Sequence, residues 1–273
     1  MRKQIMSRET QTDALNKKAV LARLGTSMFA TNVILHNSID STNRYARDMA
    51  GKGAPEGTLV LAEEQTAGKG RMERRWLSKG YSNLLFSVLL RPSLTVDKVF
   101  VLTMIMAIAT IEAVKVMKSL NTMIKWPNDL YIGQRKLGGI LTEFSVRDGV
   151  VGHVILGIGL NVNWNPGEDH GLLYPATSIF AESGSRVSRN ELLAGILKEF
   201  EGYYKEVLTG RTEDLYRRWN ELSLIMGKEV NIESNGEKIR GMALRIDHQG
   251  ALIIRDGRGK ERKVLSGDIS LTI

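Results

Sequence analysis

Hydrophobic residues fall into short runs punctuated by Gly, Pro, Asn and Asp, with a few longer stretches that keep a helical period. Residues 33–39 read as a strand, and Asp40-Ser41-Thr42 as the start of a helix with Tyr45 and Met49 on one face, ending at Gly51-Lys52-Gly53. Leu59–Ala62 and Leu84–Leu90 read as strands. Between them lies the polar stretch 63–76. Asp97 is placed to cap a helix running to Leu120, whose apolar run Val99–Ile111 falls short of the roughly 20 residues that span a bilayer and predicts a buried core helix. Three strand-like pieces follow, Met123–Trp126, Arg135–Ser145 and Val150–Asn163, joined by turns at Pro127-Asn128-Asp129, Gly133-Gln134 and Asp148-Gly149. Ser188 and Glu191 form a capping box before a helix in which Leu192, Leu193, Ile196, Leu197, Phe200 and Tyr204 keep a 3.6-residue period, and a second helix runs from Thr212 to about Leu222. From Gly227 onward short strands alternate with turns at Asn235-Gly236, His248-Gln249-Gly250 and Asp256-Gly257. The pattern predicts an α+β fold in three parts: a short basic extension (1–32), a mixed-sheet domain flanked by helices (33–226) and a small barrel (227–273) that leans on it.

Composition narrows the function classes. Within 273 residues, 42% are hydrophobic and 25% charged, enough apolar content for a large core and too much for a disordered chain. The absence of cysteine excludes disulfides, thiolate-ligated metal and a cysteine nucleophile, and fits a reducing compartment. The first residues lack the apolar stretch of a secretory signal, so a cytoplasmic location is the expectation. The net charge of +8 points to an anionic partner, and its placement says more than its sum. Residues 1–24 carry six basic and two acidic residues, and 63–79 carry five against three.

Four segments carry candidate chemistry. In Gly68-Lys-Gly-Arg71, followed by Arg74, Arg75 and Trp76, two glycines between cations predict a backbone nest for phosphate or carboxylate, with an indole to cover a base. Alone, it reads equally as a solvated basic loop; it is not a Walker A sequence. Lys125-Trp-Pro-Asn-Asp129 puts an amide and a carboxylate at a strand exit, or makes an ordinary turn. Lys136, before Gly138-Gly139, is either an anion contact or an edge-strand gatekeeper. Gly157-Ile-Gly-Leu-Asn161-Val-Asn163 resembles half a dinucleotide fingerprint but lacks its third glycine. The four histidines show no metal-ligand spacing, and no Gly-x-Ser-x-Gly elbow is present.

Taken in order, these segments resemble the catalytic core of biotin–protein ligases. The resemblance runs from Ile39-Asp-Ser-Thr-Asn43 through Gln65-Thr-Ala-Gly-Lys-Gly-Arg71, Arg74 to Trp76 and Lys125-Trp-Pro-Asn-Asp-Leu-Tyr131 to Arg135-Lys-Leu-Gly-Gly-Ile-Leu-Thr-Glu143 and Gly157–Asn163. In the tail, Asp247–Leu252 and Gly267–Leu271 resemble the family's SH3-like barrel. It implies a fold like that of class II aminoacyl-tRNA synthetases and biotin ligases, and an enzyme that activates biotin with ATP and Mg²⁺ as biotinyl-5′-AMP. Biotin would then pass to a lysine of a biotin carboxyl carrier domain of acetyl-CoA carboxylase or a related carboxylase.

Carried over by position, the resemblance assigns Ser41, Thr42, Asn43, Gln65, Lys69, Gly70, Arg71, Lys136, Gly138 and Gly139 to biotin. It assigns Gly68, Lys69, Arg71, Arg74, Trp76, Lys125, Asn128 and Asn161 to ATP. Lys136, Arg71 and Asp129 are the implied catalytic residues, with Mg²⁺ near Asn128 and Asp129. Lys69 and Glu73 depart from the family's usual Arg and Gly. The extension is too short for the DNA-binding domain of family members that double as repressors, so the expectation is a ligase alone, without DNA or membrane partners; a homodimer is left open. The rivals are a lipoate ligase, which shares the chemistry, and a nucleic-acid-binding protein. The second is disfavoured because residues 227–273 contain no Phe, Tyr or Trp for stacking.

Overall fold

The computed structural model describes residues 13–25, 27–72, 74–166, 175–234 and 236–271. Seven strands form one mixed sheet: β1 (Val33–Ile39), β2 (Leu59–Gln65), β3 (Asn83–Leu90), β4 (Thr122–Lys125), β5 (Asp129–Ile132), β6 (Arg135–Arg147) and β7 (Val150–Asn161). Their spatial order is β1-β2-β3-β7-β6-β5-β4, with only β1 and β2 parallel. β3 is buried along its whole length because helices cover both faces. Leu84, Phe86, Val88 and Leu90 face the main core with α3 (Phe100–Lys118) and α5 (Arg189–Leu208), while Leu89 packs with Ala46 and Ala50 of α2 (Thr42–Gly51).

α3 is long and apolar enough to cross a membrane by composition, yet 78% of that stretch is buried inside the protein. Asp97 does not cap it. That residue lies in a 3₁₀ turn, Val96–Lys98, which runs into the helix; the Val99 amide, which an Asp97 cap would have served, donates instead to Val96 O (3.3 Å). Half of the capping box at α5 forms: Glu191 N donates to Ser188 Oγ, but the Glu191 carboxylate turns to Arg23. The Pro127-Asn-Asp segment is a turn with a cis Trp126–Pro127 bond, and it leads directly into β5, a four-residue strand too short to announce itself in the sequence. A short helix, α4 (Ile179–Ser183), was likewise not anticipated.

The described part of the N-terminal extension is not separate from the domain. Helix α1 (Lys17–Leu24), capped by the Asn16 side chain, packs on α5, and Leu15, Val20, Leu24 and Phe29 belong to the main core. Asp13 reaches Arg189, which is fully buried and also donates to Glu63 Oε2 (2.7 Å) and to Asn83 O (2.9 Å). These partners lie more than 100 residues apart in sequence, beyond the reach of any local pattern.

Helix α6 (Glu213–Leu222) leads to the C-terminal sheet, β8 (Glu229–Ser234), β9 (Glu237–Ile246), β10 (Leu252–Arg255), β11 (Glu261–Val264) and β12 (Asp268–Leu271), in the order β11-β10-β9-β8-β12. This SH3-like unit is fastened to the main domain. Trp126 Nε1 donates to Gly250 O (2.8 Å), Tyr216 OH donates to His248 O (2.7 Å), and Val230, Ile232, Ile246 and Leu252 join the core of the larger sheet.

Removing Arg189 leaves Glu63 buried without its counter-charge. Arg189→Met is expected to lower unfolding free energy by about 3–5 kcal/mol, measured by urea denaturation; a loss under 1 kcal/mol would contradict this account.

Candidate active site

Local geometry builds the site from a floor, a loop and a wall. The floor is β7 with its neighbours. Gly157 and Gly159 lie on the face toward α2, and a Cβ at Gly157 would stand 1.8 Å from Asn43 Oδ1, one at Gly159 2.4 Å from Trp76 Cε2. These glycines are not a dinucleotide fingerprint. They are absent side chains, into whose space Asn43 and the Trp76 indole settle. Gly138 also serves packing, since a Cβ there would meet Gly159 O at 2.8 Å, and it does not line the cavity; Gly139 does.

The loop after β2 is a small hairpin. Lys69 pairs with Arg75, Gly70 N donates to Arg74 O (2.7 Å), and Trp76 N donates to Gly68 O (2.9 Å). Neither Gly68 nor Gly70 has a positive φ, so the expected nest does not form: the Gly70 amide is spent inside the hairpin, and Gly68 braces the loop base under Trp76 without lining the cavity. Anion attraction therefore comes from side chains. Met72, at φ 55°, takes the left-handed turn at the tip. Glu73 lies outside the described residues.

These elements enclose a cavity of about 230 Å³ lined by six basic residues, Lys69, Arg71, Arg74, Arg75, Lys125 and Lys136, of which Lys69 and Arg75 are exposed, and by Asp129 and Asp268. Lys136 Nζ pairs with Asp129 Oδ1 at 2.7 Å and lies 5.7 Å from the Trp76 ring centroid. At Lys136 the backbone is bonded on both sides, to β5 and to segment 175–177 (Lys136 N to Pro175 O, 2.9 Å, and Thr177 N to Lys136 O, 2.9 Å), so Lys136 is not an edge gatekeeper. Arg74 is ion-paired with Asp268 of β12, and Gly267–Ile269 complete the wall, so the barrel is part of the site. Burial pushes the Arg71 guanidinium and the Lys125 ammonium below their ordinary pKa values, with Asp129 opposing both shifts.

Asn128 Oδ1 accepts from Arg71 (3.2 Å) and its Nδ2 donates one hydrogen to Ile140 O (2.5 Å). Asp129 is held by Lys136, and the described residues contain no cluster of three or more His, Cys, Asp or Glu able to hold a metal on protein carboxylates and imidazoles alone. Trp76 Nε1, Asn161 Oδ1 and Trp164 Nε1, on residues that line the cavity, are buried without a protein partner, a set of polar atoms suited to a heterocyclic ligand.

Residues 35–161 match the biotin/lipoate A/B protein ligase family, and residues 225–272 the biotin protein ligase C-terminal domain. The bifunctional ligase/repressor BirA of Bacillus subtilis (strain 168) is 34% identical over 258 residues, 94% of this chain and 79% of BirA. The chain belongs to the biotin protein ligase family. The biotin–[acetyl-CoA-carboxylase] ligase of Mycobacterium tuberculosis is 31% identical over 235 residues, 84% of this ligase and 85% of that one. The structure of the Aquifex aeolicus biotin protein ligase in complex with biotin and ATP superposes with a TM-score of 0.75 at 27% identity, covering 89% of this ligase and 99% of that chain.

The ligase gathers every residue nominated from its sequence into one cavity except Gly68 and Gly138, which support it from behind. Sequence reasoning missed Trp164, one residue past the Gly157–Asn163 motif, and Ala176 as lining residues, and took the segment Gly267–Ile269 as a mark of the barrel alone, since nothing local places that segment against the larger domain. The alternation of glycine along β7 was the available signal for the floor.

Gly159→Ala should push the Trp76 ring off the floor. The expected outcome is a red-shifted tryptophan emission that disappears when the same change is made in a Trp76→Phe background; an unshifted spectrum would contradict the packing.

Proposed function

We propose that this ligase activates biotin with ATP as biotinyl-5′-AMP and transfers the biotinyl group to a lysine of a biotin carboxyl carrier domain. The observation that carries the reading is that one cavity joins a hydrogen-bonding pocket at the start of α2 to a cluster of cations. The family membership and the Aquifex aeolicus complex with biotin and ATP support it.

In the first step a carboxylate oxygen of biotin attacks the α-phosphorus of ATP, the bond to the β-phosphate bridge breaks, and pyrophosphate leaves. In the second the acceptor amine attacks the acyl carbon, the acyl–phosphate bond breaks, AMP leaves, and the amine loses a proton. Neither step needs a protein nucleophile. Both gather negative charge where Arg71, Lys125 and Lys136 converge, and such fixed cations stabilise the transition state without reorganising. Trp76 offers an aromatic face for the base, and Asn161 Oδ1 an acceptor. Mg²⁺ would arrive on the ATP phosphates, which supply most of its usual ligands, and no step here is routed through it. Asp129 anchors Lys136, and orienting the acceptor amine is the role this reading gives its carboxylate. Lys69 stands exposed at the rim, where a lysine gives a point charge without the planar fork of arginine.

Pyrophosphate release from ATP should require biotin and should not occur with lipoate or with neither acid; release with lipoate at a comparable rate would overturn the assignment. Asp129→Asn should slow transfer from preformed adenylate by about 10²-fold, the lower end of what a positioned acid–base group contributes. Wild-type transfer would remove Asp129 from the step. Lys69→Arg should slow adenylate release several-fold in a filter-binding chase, and unchanged or faster release would count against the missing fork.

A further inference from the structure

Tyr131 of β5 is buried and lines the cavity, yet the chemistry above gives it no part. We propose that Tyr131 is a positioning residue whose ring face holds the Lys125 ammonium in place for the phosphate charge of ATP. The proposal rests on the reading of the cavity as the site of biotin activation.

Strand register brings the two together. In the antiparallel pair β4–β5, Lys125 lies opposite Asp129 and Met123 opposite Tyr131. Asp129 and Tyr131 are two apart on β5, so both share a face with Lys125, and Tyr131 takes the diagonal position that an aromatic ring can reach. The nearest candidate partner for Lys125 is therefore the carboxylate directly across. That carboxylate is taken: Asp129 Oδ1 pairs with Lys136 Nζ at 2.7 Å, and among the described residues Lys125 has no ion pair of 4.0 Å or less. Lys125 Nζ lies instead 5.1 Å from the centroid of the Tyr131 ring, within range of a cation–π contact. Lys136 differs, since it has its carboxylate and stands farther, at 5.7 Å, from the Trp76 ring.

A ring and a carboxylate act differently on a cation. The ring attracts the ammonium through the negative face of its quadrupole and bears no net charge. It fixes Lys125 without offsetting the charge that a phosphate meets, whereas a paired carboxylate would repel that same phosphate. The attraction counts most where water is scarce, and Lys125 is in such a place. Burial pushes its ammonium below the ordinary pKa, Asp129 of β5 opposes that fall, Lys136 of β6 adds to it and Asp268 of the barrel opposes it. Tyr131 is buried on a strand bonded on both sides, so its ring is a fixed seat. Without that seat the flexible stem of the lysine would have to be ordered when ATP binds.

The test grades the charge on the ring face while keeping the ring. In the full chain Tyr131 is replaced by Phe and then by mono-, di- and trifluorinated phenylalanine, because ring fluorine withdraws electron density from the face that attracts the cation. ATP-dependent pyrophosphate release with biotin is measured for each. The kcat/KM for ATP should fall at every step, to about tenfold below Tyr131→Phe with the trifluorinated ring, the size of one contact with a partly desolvated cation. Tyr131→Leu should fall at least as far. In a Lys125→Met background the series should flatten, because the ring has lost the cation on which it acts. A flat series with Lys125 present overturns the proposal, as does an equal slope without it; either result leaves the ring a packing role alone, whatever the melting temperatures show. Failure of the wild-type chain to release pyrophosphate with biotin would instead overturn the functional reading beneath it.

Discussion

β7 crosses beneath the cavity with Gly157 and Gly159 on its upper face, and the volume that their missing side chains leave is taken by Asn43 from α2 and by the Trp76 ring from the loop. The period of two in a strand places both on one face, and the sheet register aligns them with Ser87 and Leu85 on one side and Leu141 and Gly139 on the other. The pocket at the start of α2 and the cationic part of the site are thus adjacent rungs of one ladder. A single methyl on either glycine would separate them, and this close approach, more than any one charged group, holds the two halves of the site in register.

The second constraint is electrostatic. Six cations share a partly enclosed space with two carboxylates, an arrangement that repels itself and waits for a polyanion. The two carboxylates divide the work by position: Asp129 pins Lys136 from within the sheet, and Asp268 reaches across from the barrel to pin Arg74. The barrel therefore does more than lean on the larger domain. With Trp126 bonded to Gly250 and Arg74 to Asp268, it holds the motif strands from one side and the loop from the other.

The two halves meet at a junction where biotin's carboxylate and the α-phosphate of ATP would be brought together. The lower-than-ordinary pKa values of Arg71 and Lys125 record the cost of burying cations before that partner arrives. Unpaired atoms on Trp76, Asn161 and Trp164 record the same readiness in hydrogen bonds.

Much of this was legible in the chain. Strands β1 to β4, β6 and β7, helices α2, α3, α5 and α6, and the motif residues of the site rest on hydrophobic period, turn residues and local spacing, which are properties of neighbouring residues. The exceptions share a physical cause. Asp97 looked like a cap until the preceding turn supplied the hydrogen bonds; Gly68-Lys-Gly70 looked like a nest until Arg74 O took the Gly70 amide. The basic N-terminus looked detached until Asp13 met Arg189, 176 positions away. Sequence by itself determined the elements, the family resemblance and nearly every residue at the site, because these are encoded at short range. Tertiary structure alone decided which glycines make room and which merely brace, that the barrel closes the site, and which way each hydrogen bond runs, because a donor's direction depends on the acceptor that folding brings to it.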